Sequence, residues 1–120
     1  MQAGLAAEIA LTVSQADTAV AVRSGDVAVL ATPRVVALCE EATVAAIAGQ
    51  LPDESTSVGT RVECDHLQPS RVGERVTAHA TLVDVDGGRL QFTVTVADGQ
   101  GSPVAVARVW RAVVDRDRFK

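Results

Sequence analysis

TPRVVALCEEATVAAIA, residues 32–48, decides how the rest of the chain must be arranged. Thr is a good helix N-cap, and Pro fits the first helical position, where its missing N–H is no loss. A helix is therefore predicted from Pro33 to about Gln50, capped by Thr32 and ended by Gly49 and Pro52. Val35, Val36, Leu38, Ala42, Val44 and Ile47 leave only a narrow polar strip on it. A helix that is apolar almost all round is normally buried rather than laid on a surface.

Something must bury it, and the flanking sequence supplies strands. Beyond a polar loop at 52–57 the pattern changes from helical to alternating. Val58, Thr60, Val62, Cys64 and His66 are expected on one face, with Arg61, Glu63 and Asp65 on the other. Val76, Ala78, Ala80 and Leu82 then alternate with Thr77, His79 and Thr81. Asp86-Gly87-Gly88 reads as a hairpin turn into Leu90, Phe92, Val94 and Val96. Asp98–Ser102 is another Gly-bearing turn, and Val104–Val114 a last strand. Upstream, residues 8–13 and 18–22 read as extended segments. The expected fold is α+β, a long antiparallel sheet wrapped around one central buried helix. With no repeat, linker or low-complexity tract, residues 1–120 are expected to form one domain.

Composition narrows the function. The chain is 48% apolar but only 2% aromatic, with no Tyr, so its core is built from small and β-branched side chains. A net charge of −4 argues against bulk nucleic-acid binding, though a few local Arg residues suffice for an anionic small ligand. Cys39 and Cys64 are too few for a disulfide scaffold and read as free thiols in a reducing compartment. The N-terminus lacks a basic start and Glu8 interrupts its apolar run, unlike a signal peptide. No stretch approaches the roughly 20 apolar residues of a membrane span. A cytoplasmic protein is expected, with no nucleic-acid or membrane partner.

Three residues could carry chemistry, and Glu40 is the one out of place for pure structure. Glu40 has Val36, Ala37, Thr43 and Val44 at helical spacing, and a buried carboxylate needs a partner or a function. The alternative is that Glu40 and Glu41 together form the helix's solvated strip. His66 falls on the face turned to the helix, where a core histidine bonded to a carbonyl is the plain alternative; His79 falls on the polar face. Thr32 is accounted for as a cap, and helix N-termini also stabilise developing negative charge. No phosphate loop, CxxC, His pair at metal spacing or Gly-x-Ser-x-Gly elbow occurs, and no metal or separate cofactor is expected. Nothing near Cys39 in sequence would lower its pKa, which makes it a weak nucleophile.

Ala31-Thr32-Pro33, then Leu38-Cys39-Glu40-Glu41-Ala42, then Val58-Gly59-Thr60 leading to Asp65-His66 resembles the hotdog thioesterases, specifically the fluoroacetyl-CoA thioesterase-like branch. The resemblance runs from about Ser24 through Arg71-Val72-Gly73-Glu74 to the final strand. In that branch a Thr at the helix start, a Glu eight residues on and a His 26 residues beyond it form the active constellation; Thr32, Glu40 and His66 have those separations. The resemblance implies hydrolysis of an acyl-CoA thioester by a homodimer, or a pair of dimers, with each site drawing groups from both chains. His66 would be the acid/base group, Glu40 the water activator or the nucleophile, and Thr32 an orienting hydroxyl. The Gly59 N–H would contact the thioester carbonyl. Coenzyme A would enter as part of the substrate, with Arg34, Arg71, Arg75 and Arg108 available for its phosphates. Pro33 stands where the fluoroacetate-resistance enzyme has Gly, and the aromatic-rich lid has no counterpart, so fluoroacetyl specificity is not implied. A non-catalytic acyl-thioester-binding protein of the same fold is the second reading. A hydratase is the third, since adjacent Asp65 and His66 face opposite ways on a strand.

Overall fold

The structure, a computed structural model, describes residues 1–120. Five strands, β1 (Ala6–Thr12), β2 (Ser55–His66), β3 (Arg75–Asp86), β4 (Arg89–Asp98) and β5 (Pro103–Asp115), form one sheet in the order β1-β3-β4-β5-β2. Every pairing is antiparallel. A single helical turn, α1 (Ala19–Val22), and the main helix, α2 (Thr32–Ala46), lie between β1 and β2 in the chain. The inner face of the sheet curls around α2, giving the α+β arrangement expected.

The alternation of β3 and β4 sets the core. Val76, Ala78, Ala80 and Leu82 on β3, and Leu90, Phe92, Val94 and Val96 on β4, are all buried. They meet Val35, Leu38, Cys39, Ala42 and Ala46 of α2. Each fully buried Leu or Val contributes about 1.5–3 kcal/mol relative to exposure. Gly87, at φ 59, makes the tight β3–β4 turn that a side chain would strain. His79 points outward, 3.2 Å from Glu8 on the neighbouring strand.

Four expectations are corrected. Residues 18–22 are not extended: Thr18 caps a single turn by accepting from the Ala21 N–H, and Arg23, at φ 65, closes it. A run of Val and Ala too short to show a period is decided by such caps. Helix α2 ends at Ala46 rather than near Gln50. It is also not buried all round: Ala37 and Val44 on one face are exposed, as is Ala48 just past its end, because the sheet of one chain covers only the other face. Finally, the register of β2 shifts between Gly59 and Arg61, a β-bulge. Gly59 pairs with buried Arg111 and Val62 with buried Val109, so the inner face changes from odd to even positions across the bulge. Val58 and Thr60 therefore do not share the inner face of Val62, Cys64 and His66.

Candidate active site

Thr32 is the first residue of α2, and Ala31, not Thr32, occupies the cap position, with no side-chain cap bond there. The Thr32 hydroxyl is committed elsewhere: Oγ1 lies 2.8 Å from Nδ1 of His66 at the end of β2. Thr32 is therefore not the cap expected of it, and its hydroxyl meets His66 instead. The two side chains border a concavity of about 270 Å³ together with Ala19, Val29 and Leu67. His66 Nε2 is buried with no hydrogen-bond partner in the protein. Burial pushes the His66 pKa below its ordinary 6.5, opposed in part by the Gln68 backbone. The imidazole is therefore neutral at pH 7, the form that accepts a proton.

Glu40 lies on the open face of α2, its side chain 38% exposed. Its carboxylate turns toward the bulge of β2, over Gly59. One oxygen stands 3.7 Å from Nη1 of Arg111, whose side chain is only 8% exposed. Arg111 is itself fixed by β2, donating from Nε to Ser57 Oγ at 2.9 Å and from Nη2 to the Ser57 carbonyl at 3.1 Å. Burial pulls the Arg111 pKa down and Glu40 works to hold it up, while an arginine remains charged at any ordinary pH. Glu41, the other half of the supposed solvated strip, is 53% exposed and bonds Arg34. The two glutamates therefore separate, Glu41 to the surface and Glu40 to a groove of about 560 Å³ bordered by Ile9, Ala37, Val44, Ala48 and Arg111.

Arg111 went unnoticed in the sequence, although its signal was there. Ala105, Ala107 and Val109 set the inward phase of β5, and Arg111 is the next residue in that phase, a cation where an apolar side chain is due. Arg34, by contrast, is bound by Asp17 at 3.0 Å and Glu41 at 3.2 Å, which leaves it poorly suited to a phosphate. Cys39 is held as a thiol: burial, then Cys64 and Glu40, raise its pKa to about 12. No group of three or more His, Cys, Asp or Glu is placed to hold a metal ion. No helix is long and apolar enough to cross a membrane.

Gly59 shows what the bulge is built for. A Cβ there would overlap Oε2 of Glu40 and approach Arg111 Nη1. The glycine is required by the carboxylate resting on it. Gly59→Ala should push that carboxylate aside and lower turnover roughly 10- to 100-fold, since about 1 Å of misplacement can cost 100-fold. Its melting temperature should stay close to wild type, because the flexible end of Glu40 can move into the open groove. Wild-type kcat in a folded Gly59→Ala protein would show that the position of this carboxylate is immaterial.

Within one chain these five residues form a pair and a separate cluster of three. Thr32 and His66 meet directly, and Glu40 meets Gly59 and Arg111. Eight residues of helix put Thr32 and Glu40 roughly 12 Å apart along its axis. From Gly59 to His66 the strand advances on the order of 20 Å.

Comparison with known proteins assigns the chain. The family model of the fluoroacetyl-CoA-specific thioesterase FlK matches residues 13–117. No curated protein matches by sequence. Among solved structures, the fluoroacetyl-CoA thioesterase FlK superposes with a TM-score of 0.91 at 28% identity, covering 99% of this chain and 92% of that one. FlK variants have been solved with acetyl-CoA and with fluoroacetate and CoA. A hot-dog-like protein from Thermanaerovibrio acidaminovorans superposes at 0.89 and 26% identity, over 99% of this chain and 87% of that one. A Thermus thermophilus thioesterase superfamily member, 24% identical with a TM-score of 0.90 over 98% of this chain and 86% of that one, shares the fold. The chain has the hotdog fold and belongs to the fluoroacetyl-CoA-specific thioesterase family.

Proposed function

We propose that the protein hydrolyses acyl-CoA thioesters to free acid and CoA at a site shared by two copies of the chain. The observation that carries this is the division of the polar residues into a Thr32–His66 pair and a Glu40–Gly59–Arg111 cluster, each poised but too far from the other to act on one carbonyl. Strand β2, which bears both His66 and Gly59, is one of the two edge strands of the sheet, β1 being the other. Antiparallel pairing of β2 with a second β2 about Glu63 brings Thr60 opposite the partner's His66, with Gly59 one residue beyond. It also sets Arg61 opposite the partner's Asp65, a favourable cross-strand pair. The exposed apolar stripe of Ala37 and Val44 on α2, continued by Ala48 just past its end, supports the same reading: it is surface in one chain and suits contact with a partner or an acyl group.

In this arrangement the thioester carbonyl lies between Glu40 of one chain and His66 of the other. Glu40 either removes a proton from water as it adds to the carbonyl carbon or attacks that carbon itself, with water releasing the resulting anhydride. The C–S bond breaks, and the departing sulfur takes up a proton. His66, kept neutral by burial and oriented by Thr32, moves the proton. The Gly59 N–H contacts the carbonyl oxygen as negative charge grows on it. Coenzyme A is part of the substrate, and water is the only other reactant. The groove beside Glu40 has no aromatic lining, so this reading does not extend to fluoroacetyl selectivity.

Release of free thiol from short, medium, long and aromatic acyl-CoAs, followed against pH, tests the proposal. At least one substrate should turn over. Its kcat/KM should hold from neutral pH to below 6.5 and fall only as His66 protonates, at a pKa displaced downward from that value. The unfolded chain binds the His66 proton first, so stability should also decline as pH falls below 6.5, until the folded protein binds it too. Binding of acyl-CoA with no thiol release across the panel would transfer the protein to the non-catalytic, thioester-binding reading.

A further inference from the structure

The groove beside Glu40 has a direction. Ala37, Glu40, Glu41, Val44, Ala45 and Ala48 border it from the helix side. Their spacing of three and four sets them in a row on one face, so the groove runs parallel to α2. A second concavity, of about 330 Å³, opens where the helix ends. Val44 and Ala48 border both, so the two are continuous along the exposed face of the helix. Ile47 and Leu51 add apolar surface to the second concavity, and the rest of its lining turns polar, with Asp53, Ser55, Thr56 and Arg116. The Arg116 guanidinium is tied down there, donating to the Ser55 carbonyl at 3.3 Å. Contact with a second copy would account for an exposed Val44. It does not account for a passage that starts at Glu40 and ends in a polar concavity.

Two features point an acyl chain one way along this passage. In the β2 pairing proposed above, the partner's His66 stands opposite Thr60, on the far side of Gly59 from Ser57. The departing sulfur takes up its proton there, and the coenzyme arm leaves on that side. The acyl chain departs on the other, toward Ser57 and Ser55, which border the second concavity. The paired segment is Thr60–His66, so this end of β2 lies outside it. The helix agrees. Toward its N-terminus the row ends at Ala37, between the paired Arg34 and Glu41; toward its C-terminus it continues with Val44, Ala45 and Ala48. From Glu40 to Ala46, the last residue of α2, is roughly 9 Å, and Ala48 lies just beyond. An extended chain advances about 1.3 Å per carbon for bonds of about 1.5 Å, so about seven to nine carbons past the carbonyl span the passage. A further methylene would displace water from Asp53, Ser55 and Arg116 without replacing its hydrogen bonds.

We propose that the face of α2 from Val44 to Ala48, continued into the concavity at the helix end, holds the acyl chain of the substrate and selects straight chains of about eight to ten carbons. The proposal rests on the thioester reading above, and the tests separate the fates of the two. From acetyl- to myristoyl-CoA, wild-type kcat/KM should rise about two- to fourfold per methylene, the value of burying one CH₂, and stop rising near about eight to ten carbons. A flat profile, or one highest on acetyl-CoA, would overturn the proposal. Ala48→Phe sets a ring in the passage between the two concavities. The ratio of its kcat/KM on decanoyl-CoA to that on butyryl-CoA should fall at least tenfold below the wild-type ratio. Ala48 is exposed, so the ring needs no room in the core, and melting curves and native mass check that the variant folds and assembles as wild type does. An unchanged ratio, including equal losses on both substrates as when this face only packs against a second copy, would overturn the acyl passage and leave the thioesterase reading standing. If the variant folds poorly, the wild-type profile decides. If wild type hydrolyses no acyl-CoA, the thioesterase reading fails, and calorimetric titration decides the passage: decanoyl-CoA binding at least tenfold more tightly than acetyl-CoA supports it, and equal affinities overturn it.

Discussion

Glu40→Gln should reduce acyl-CoA turnover by about a thousandfold or more while the protein stays folded and still binds substrate. The size follows from the chemistry: a positioned acid or base contributes about 100- to 10,000-fold, and a covalent role would add to that. Gln keeps the shape of Glu and can still accept from Arg111, so the groove and the close contact over Gly59 survive. It removes the negative charge, which either proposed role requires. Stability should change little, because the Glu40 side chain is 38% exposed, and Arg111 keeps both of its bonds to Ser57. Glu41→Gln is the natural control. It loses one half-exposed ion pair with Arg34, worth about 0–1 kcal/mol, and should retain wild-type kcat. Thiol-release kinetics on the two variants, with melting curves, distinguish a carboxylate that acts from one that solvates a helix. Near-wild-type turnover in folded Glu40→Gln would remove Glu40 from the chemistry.

The sheet was legible because its strands obey a period of two without interruption. Val76 to Leu82 and Leu90 to Val96 are buried in the phase their sequence announces, since each strand has one face on the helix and one on solvent. The bulge at Gly59–Arg61 was not legible: a single extra residue reverses the phase, and Val58-Gly59-Thr60 carries no sign of which residue is unpaired. The same limit hid the real partner of Thr32. Its sequence neighbourhood describes a cap, and only the arrival of His66, 34 positions downstream, draws the hydroxyl away. The helix misled in another way. Its apolar circumference implied burial on all sides, and in one chain the face bearing Ala37 and Val44 is open. An apolar surface of that kind is legible as a demand for burial, not as a statement of what does the burying. Arg111 needed only a stricter use of the rule already applied to Glu40, that a charge in an apolar phase requires a partner. The two residues turn out to be each other's.

That pairing gives the groove its character. Arg111 is held by Ser57 on β2, and Glu40 rests over Gly59 two residues farther along the same strand. The β2 edge of the sheet therefore fixes both the cation and the carboxylate, so whatever joins that edge also meets the site. His66 closes the same strand at its other end. One strand carries the anchor of one pair and a member of the other, which makes the pairing of two such strands the step on which activity should depend.

The most direct measurement is complementation between two inactive variants. Glu40→Gln and His66→Ala protein should each be nearly inactive when assayed separately. Mixed in equal amounts, unfolded and refolded together, they should regain about a quarter of wild-type activity. Random pairing makes half the dimers mixed, and each mixed dimer has one site with both residues intact and one with neither. Recovery toward that level means that Glu40 of one chain works with Thr32 and His66 of the other. If the mixture stays as inactive as its components while refolded wild type regains activity, each chain uses its own Glu40 and His66, and the shared site is wrong.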